Sequence, residues 1–148
     1  MPSPEGKMRI LFLCTGNSCR SQMAEGWARH SKADVIEPYS AGIDTFGLNP
    51  NAVRVMAEAG VDISHHRSKH VSELLHLGFD YVVTLCDHAS EYCPVFPGKA
   101  QVVHRGFDDP PRLARNARTA EEGLNHYRRV RDEIRDFAAS LPEALPHM

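Results

Sequence analysis

The most reactive stretch of this chain opens with a cysteine separated by five residues from an arginine: Cys14-Thr15-Gly16-Asn17-Ser18-Cys19-Arg20-Ser21. The residues between Cys14 and Arg20 are small or polar. A loop built this way can wrap until several backbone N–H groups face one centre, with Gly16 free to take unusual backbone angles. A helix beginning near Ser21 would add its positive N-terminal end. Arg20 offers a planar fork of donors that suits a tetrahedral oxyanion. The same donors would stabilise Cys14 as a thiolate, because such settings lower a thiol pKa from ~8.5 to ~3.5–7.5. The chemistry implied is capture of a phosphate-like oxyanion beside a sulfur nucleophile. The pattern is not a nucleotide loop, since Gly-x4-Gly-Lys-Ser/Thr is absent.

Two further segments carry reactive groups. Cys86 and Cys93 flank an acidic and polar run, and Asp108-Asp109-Pro110 follows Gly106-Phe107. The four cysteines stand at 14, 19, 86 and 93, spaced Cys-x4-Cys and Cys-x6-Cys. Neither spacing is a zinc knuckle or a Cys-x-x-Cys redox pair. In a reducing compartment such cysteines are buried, metal-bound or catalytic. His65, His66 and His70 invite a metal reading, but solvated histidines on a surface turn explain them more simply.

The elements that must position these groups follow from length and periodicity. The 148 residues suit one domain over 1–148, with 1–7 and 142–148 as flexible ends. Lys and Arg total 17 against 19 Asp and Glu, a net charge of −2, which argues against nucleic acid or an anionic membrane surface as partner. No apolar run reaches the ~20 residues of a membrane span, and the run near the start is too short for a signal peptide, so a cytoplasmic protein is expected. Met8 to Leu13 reads as a strand buried on both faces. Ser21 to His30 reads as a helix, with Met23, Ala24, Trp27 and Ala28 inward. Val35 to Ser40 is a second strand. Asn49 and Pro50 start a helix. Ser68 to Leu77 reads as a shorter helix with Val71, Leu74 and Leu75 inward. Tyr81 to Leu85 and Gln101 to His104 are the remaining strands. A last helix opens on Thr119 and Glu122, spaced as a capping box, and runs to Pro142. Strands alternating with helices indicate an α/β fold, a four-stranded parallel sheet with helices on both faces. Ligands bind at the carboxyl ends of such strands, and Cys14, Cys86 and Asp109 all fall there.

Cys14 to Ser21, followed by Gln22-Met23-Ala24-Glu25-Gly26, resembles the signature of the low-molecular-weight protein tyrosine phosphatase superfamily, and within it the thioredoxin-coupled arsenate reductase branch. Ser40-Ala41-Gly42, Thr84-Leu85-Cys86 and Gly106-Phe107-Asp108-Asp109-Pro110 fall at the family's other landmarks, so the likeness covers about residues 8 to 140. It implies substrate binding by Thr15, Gly16, Asn17, Ser18, Cys19, Arg20 and Ser21, with Asp109 as general acid because it directly precedes the proline. It implies reduction of arsenate to arsenite by a three-cysteine relay. Cys14 attacks arsenic, Cys86 resolves the adduct, and Cys93 takes over the disulfide for a thioredoxin-like reductant. Residues Pro111-Arg112 stand where family phosphatases place an aromatic grip for aryl phosphates. A low-molecular-weight phosphatase with incidental cysteines, and a thiol-based binder of arsenite or zinc, remain the alternatives. No metal or organic cofactor is implied. Some relatives hold potassium beside the loop. Asn17, Glu25 and Ser40 are suitable oxygen donors here, but cationic Arg67 and Lys69 depart from that pattern and argue against it.

Overall fold

The computed structural model describes residues 6–87 and 95–146. Strand β1 (Met8–Cys14) lies inside a parallel sheet of order β2-β1-β3-β4, with β2 (Ile36–Gly42), β3 (Tyr81–Thr84) and β4 (Gln101–His104). Pairing is in register along β1: Met8 faces Ile36 and Cys14 faces Gly42, while Ile10 to Leu13 face Tyr81 to Thr84. Because side chains alternate across a strand, β1 feeds two cores. Ile10 and Phe12 enter the larger, and Leu11 and Leu13 the smaller.

The larger core is covered by α1 (Arg20–Lys32), α2 (Pro50–Glu58) and α4 (Ala120–Ala139). Their inward stripes supply Met23, Ala24 and Trp27, then Ala52, Val55 and Met56, then Leu124, Tyr127, Val130 and Ile134. Burial of each large apolar side chain contributes about 1.5–3 kcal/mol. Asn49 caps α2 by accepting from the amides of Asn51 at 2.8 Å and Ala52 at 3.2 Å, and its amide nitrogen donates to the Tyr127 hydroxyl on α4. Thr119 caps α4 through Glu122 N at 3.0 Å. The Glu122 carboxylate reaches the Arg118 amide, one residue upstream of the expected capping-box partner.

Two expectations need correction, and one element is added. Ser68 to Leu77 is not a helix beyond a single 3-10 turn at Val71–Leu74, and Leu75 is exposed. The cause is that the chain must stay extended at Lys69 and His70, where Gly42 N donates to Lys69 O and Gly42 bridges His70 in parallel fashion. The chain past the Asp-Pro pair, assigned to no element above, forms α3 (Pro110–Ala114), started by its two prolines. The tail past Pro142 is not loose through 146: Leu145 packs into the larger core and the Tyr81 hydroxyl donates to Pro146 O. Residues 1–5, 88–94 and 147–148 lie outside the described residues, and with them Cys93.

Candidate active site

At the end of β1 the chain folds into a loop whose carbonyls are tied outward. Thr15 O accepts from Asp44 N, Gly16 O from Phe46 N, and Ser18 O from Asn49 N, all within 3.0 Å. Asn17 O accepts from Gln22 Nε2 at 3.1 Å. In a planar trans peptide the N–H points opposite its carbonyl. The amides of Gly16, Asn17, Ser18 and Cys19 therefore turn to the other side, and among the described residues they donate to no protein acceptor. Four unpaired donors beside the start of α1 form a ready-made anion site.

The left-handed backbone of the loop falls on Asn17, at φ +48°, and not on Gly16. Asn17 tolerates it because its side chain is held on three sides. Oδ1 accepts from Lys69 N at 2.8 Å and Gln22 Nε2 at 3.0 Å, and Nδ2 donates to Ser21 Oγ at 2.8 Å. Gly16 is required for space instead: a Cβ there would stand 2.1 Å from the Phe46 ring. Gly42 is required beneath the loop, where a Cβ would sit 2.6 Å from Thr15 O and 2.8 Å from Asn17 N.

Cys14 lies at the floor of a cleft of about 340 Å³, lined by Thr15, Gly16, Ser18, Cys19 and Arg20, with Phe46, Leu48, Asp109, Pro111 and Arg115 around the mouth. Its Sγ is 2.8 Å from Ser21 Oγ. Asn17 already donates to that oxygen, which leaves the hydroxyl proton available to the sulfur. Asn17 and Ser21 are fully buried behind the loop. Of the residues expected to bind substrate, these two brace the site with their side chains, which do not line the cleft. Burial pushes the Cys19 thiol far above the usual range, with Arg20 opposing, so Cys19 stays protonated and unreactive.

Arg20 is almost entirely buried. Its Nη1 donates to Phe107 O at 3.0 Å and lies 3.4 Å from Leu85 O, while Nη2 stands 3.7 Å from Asp109 Oδ1. One guanidinium thus ties together the three strand ends that bear reactive groups. The two adjacent aspartates part company. Asp108 is salt-bridged at 2.8 Å to Arg129 on α4, and Asp109 lines the cleft. Cys86 is fully buried at the end of β3, where Leu85 N still donates to Leu13 O, so strand pairing continues to the residue before it. Cys86 is disulfide-bonded, whereas Cys14 and Cys19 are both free thiols.

Several bracing residues escaped the sequence reading. Gln22 is fully buried and carries the loop to its neighbours: Nε2 also donates to Arg67 O, and Oε1 accepts from His66 Nδ1 at 3.0 Å. Ser68 Oγ donates to Gly16 O at 2.9 Å. A polar residue at an inward helical position was the one available signal for Gln22. Nothing local marks Ser68 or Phe46, which sit 52 and 30 residues from Gly16. His65 and His70 are exposed, as expected of a surface turn, while His66 is half-buried. His66 holds Gln22, His70 caps the 3-10 turn, and no cluster among the described residues could hold a metal ion. Burial lowers the His66 pKa, with Glu25 opposing.

The oxygens considered for potassium are already taken. Glu25 Oε1 accepts from Ser40 Oγ at 2.5 Å and Oε2 pairs with Arg29 at 2.6 Å, with Lys69 Nζ 3.9 Å from Oε1. Asn17 Oδ1 carries two donors. A donor set with two fixed cations against its one carboxylate does not fit a further cation.

Comparison with known proteins agrees with this geometry. Residues 9–147 match the family model described as low molecular weight phosphotyrosine protein phosphatase. An arsenate reductase of Halalkalibacterium halodurans is 52% identical over 128 residues, covering 86% of this chain and 90% of that protein. A solved arsenate reductase in the phosphate-binding state is similar at a TM-score of 0.75 and 27% identity, over 94% of this chain and 99% of that one. A thioredoxin-dependent arsenate reductase of Corynebacterium glutamicum is similar at a TM-score of 0.61 and 25% identity, over 95% of this chain and 63% of that one. With the match running from the first strand to beyond the last helix, this chain belongs to the low molecular weight phosphotyrosine protein phosphatase family.

Proposed function

We infer that this chain reduces arsenate to arsenite by protein thiols, drawing electrons from a thioredoxin-class reductant. The observation that carries the reading is the second buried cysteine. Cys86 ends the strand beside that of Cys14, and its disulfide involves neither Cys14 nor Cys19. Phosphate-ester hydrolysis has no use for it. Reduction of arsenic by two electrons requires a second thiol, and the relatives over most of the chain are named arsenate reductases.

In this mechanism the loop amides and Arg20 hold the oxyanion, which shares its tetrahedral shape and charge with phosphate. The Cys14 thiolate attacks arsenic, and Asp109 protonates the departing oxygen, which leaves as water. Cys86 then attacks the Cys14 sulfur. The sulfur–arsenic bond breaks, its electron pair stays on arsenic, and arsenite leaves as Cys14 and Cys86 are joined. Cys93 attacks Cys86, which frees Cys14 and moves the disulfide outward to Cys86 and Cys93. The partner reduces that disulfide by exchange. A disulfide at Cys86 beside a free Cys14 is the state in which the last transfer would leave these two residues. No resident metal or organic cofactor enters any step, and the reducing partner implies work in the cytoplasm.

The test is arsenate-dependent NADPH oxidation coupled through thioredoxin and its reductase. Cys14→Ser should abolish it, because a serine hydroxyl stays protonated in this nest. Cys93→Ser should release about one arsenite per enzyme and stall with a Cys14–Cys86 crosslink and a loss of about 2 Da. Hydrolysis of p-nitrophenyl phosphate without any arsenate-dependent oxidation would favour a phosphatase, and zinc retained through gel filtration a thiol binder. Sustained turnover by Cys93→Ser at the parent rate would remove Cys93 from the relay.

A further inference from the structure

Lys69 stands where the floor of the oxyanion loop meets α1 and the end of β2. Its backbone joins two partners: the amide donates to Asn17 Oδ1 at 2.8 Å, and the carbonyl accepts from Gly42 N at 2.9 Å. Its side chain, 15% exposed, runs inward and not to solvent. There Nζ donates to Arg67 O at 3.0 Å and faces Glu25 Oε1 at 3.9 Å. Glu25 is itself buried on α1 and accepts from Ser40 Oγ of β2. Arg67 O also accepts from Gln22, whose amide group holds Asn17. Lys69 therefore closes a ring of polar contacts through Asn17, Gln22 and Arg67, and its ammonium branches from that ring to Glu25 and Ser40. Asn17 is the one member of this ring in the left-handed conformation on which the shape of the loop depends.

A buried carboxylate facing a polar loop needs positive charge nearby. Arg29 supplies part of it, but from the outer side of Glu25: its side chain is 46% exposed and bonds Oε2 and Pro38 O. The loop-facing oxygen, Oε1, has only Lys69 as a charged partner among the described residues. We propose that Lys69 is a positioning residue whose ammonium serves as the resident cation of the oxyanion loop, in the place of a dissociable metal cation. It touches neither the cleft nor the nucleophile and acts through Asn17. The consequence is an enzyme whose rate does not depend on the identity of the monovalent cation in the medium.

The expected effects on turnover rest on the arsenate reductase reading, so a readout that needs no reduction accompanies them. This is alkylation of Cys14 by iodoacetamide, followed by mass spectrometry, and its protection by inorganic phosphate. The parent protein should give equal arsenate kcat/KM in potassium, sodium and tetramethylammonium chloride at one ionic strength. Lys69→Ala should lower kcat/KM and weaken phosphate protection by about tenfold, as a misplaced loop would. Methylammonium or potassium should restore both in Lys69→Ala, and tetramethylammonium, too large for the vacated space, should not. Lys69→Met fills most of the space without the charge and should show the loss with less rescue. Stimulation of the parent by potassium over sodium would overturn the proposal. So would a Lys69→Ala protein that loses nothing, or a folded one whose loss neither cation repairs. Should the parent reduce no arsenate while phosphate protection follows this pattern, the reading of the reaction fails and the role of Lys69 stands.

Discussion

Two arginine-bearing regions of this molecule look alike in composition and behave differently. At the carboxyl edge of the sheet, Arg20 is 4% exposed and spends its donors on Phe107 O and a long contact to Leu85 O, with Asp109 3.7 Å away. Along the outer face of α4, Arg129 and Arg135 are about half exposed and pair with Asp108, Glu133, Asp132 and Asp136. The first charge is held in one geometry by buried partners. The second set is solvated and exchangeable, and exposed pairs of this kind contribute little. The difference teaches that a guanidinium becomes a tool when its fork is fixed against carbonyls that cannot move. The same group on a helix surface is a solubility device.

Arg20→Lys probes the fixed end most sharply. A point charge cannot hold two strand ends and an oxyanion together, so kcat/KM for arsenate should fall by about 10²-fold or more, read in the coupled assay. The adjacent aspartates divide the two regions at a single peptide bond. Asp109→Asn should cost about 10²-fold in kcat, while Asp108→Asn, whose carboxylate faces Arg129, should leave kcat near the parent value. Equal losses in the two would erase the distinction.

A smaller effect belongs to the floor of the loop. His66 in the folded protein titrates below its unfolded value of about 6.5, chiefly through burial. The unfolded chain then binds more protons in that window, so stability falls as pH drops below about 6.5 and levels off beneath the folded value. His66→Gln removes the titration, and thermal melts between about pH 5 and pH 8 should show a shallower acid slope. An unchanged slope would detach His66 from the acid sensitivity. The smallest change is expected at α4: Arg129→Ala should cost no more than about 1 kcal/mol in urea unfolding and leave kcat/KM unaltered. A loss of activity there would mean that the surface pair positions Asp109 after all.

Much of the scaffold was legible before any coordinates. The buried run from Met8, the apolar stripe of α4 and the Asn49-Pro50 start are local patterns, set by side-chain spacing and by orphan amides at helix ends. The 3-10 turn at Val71–Leu74 was misread as a helix because its apolar spacing is helical, while the pairing of Gly42 with Lys69 and His70, which keeps the chain extended just before it, is invisible locally. The site divides the same way. Cys14, Arg20 and Asp109 were marked by residue type and by their place after strands. In the sequence Gly16 stands out as free to take unusual backbone angles, but Asn17 takes the left-handed conformation because Lys69, Gln22 and Ser21 hold its side chain.

The sequence by itself determined the order of strands and helices, the presence of a sulfur nucleophile beside oxyanion donors, and the surplus cysteines that separate reduction from hydrolysis. Those are matters of residue type at short spacing, where covalent geometry and hydrophobic periodicity leave few choices. Only the tertiary structure decided which of two aspartates faces the cleft, why residue 16 must be glycine, and which buried groups brace the loop. Each of those turns on contacts between residues distant in the chain, such as Gly16 with Phe46 and Ser68, or Glu25 with Lys69. Such contacts form only when the sheet has brought its carboxyl ends together, and their energies depend on burial that no local pattern reports.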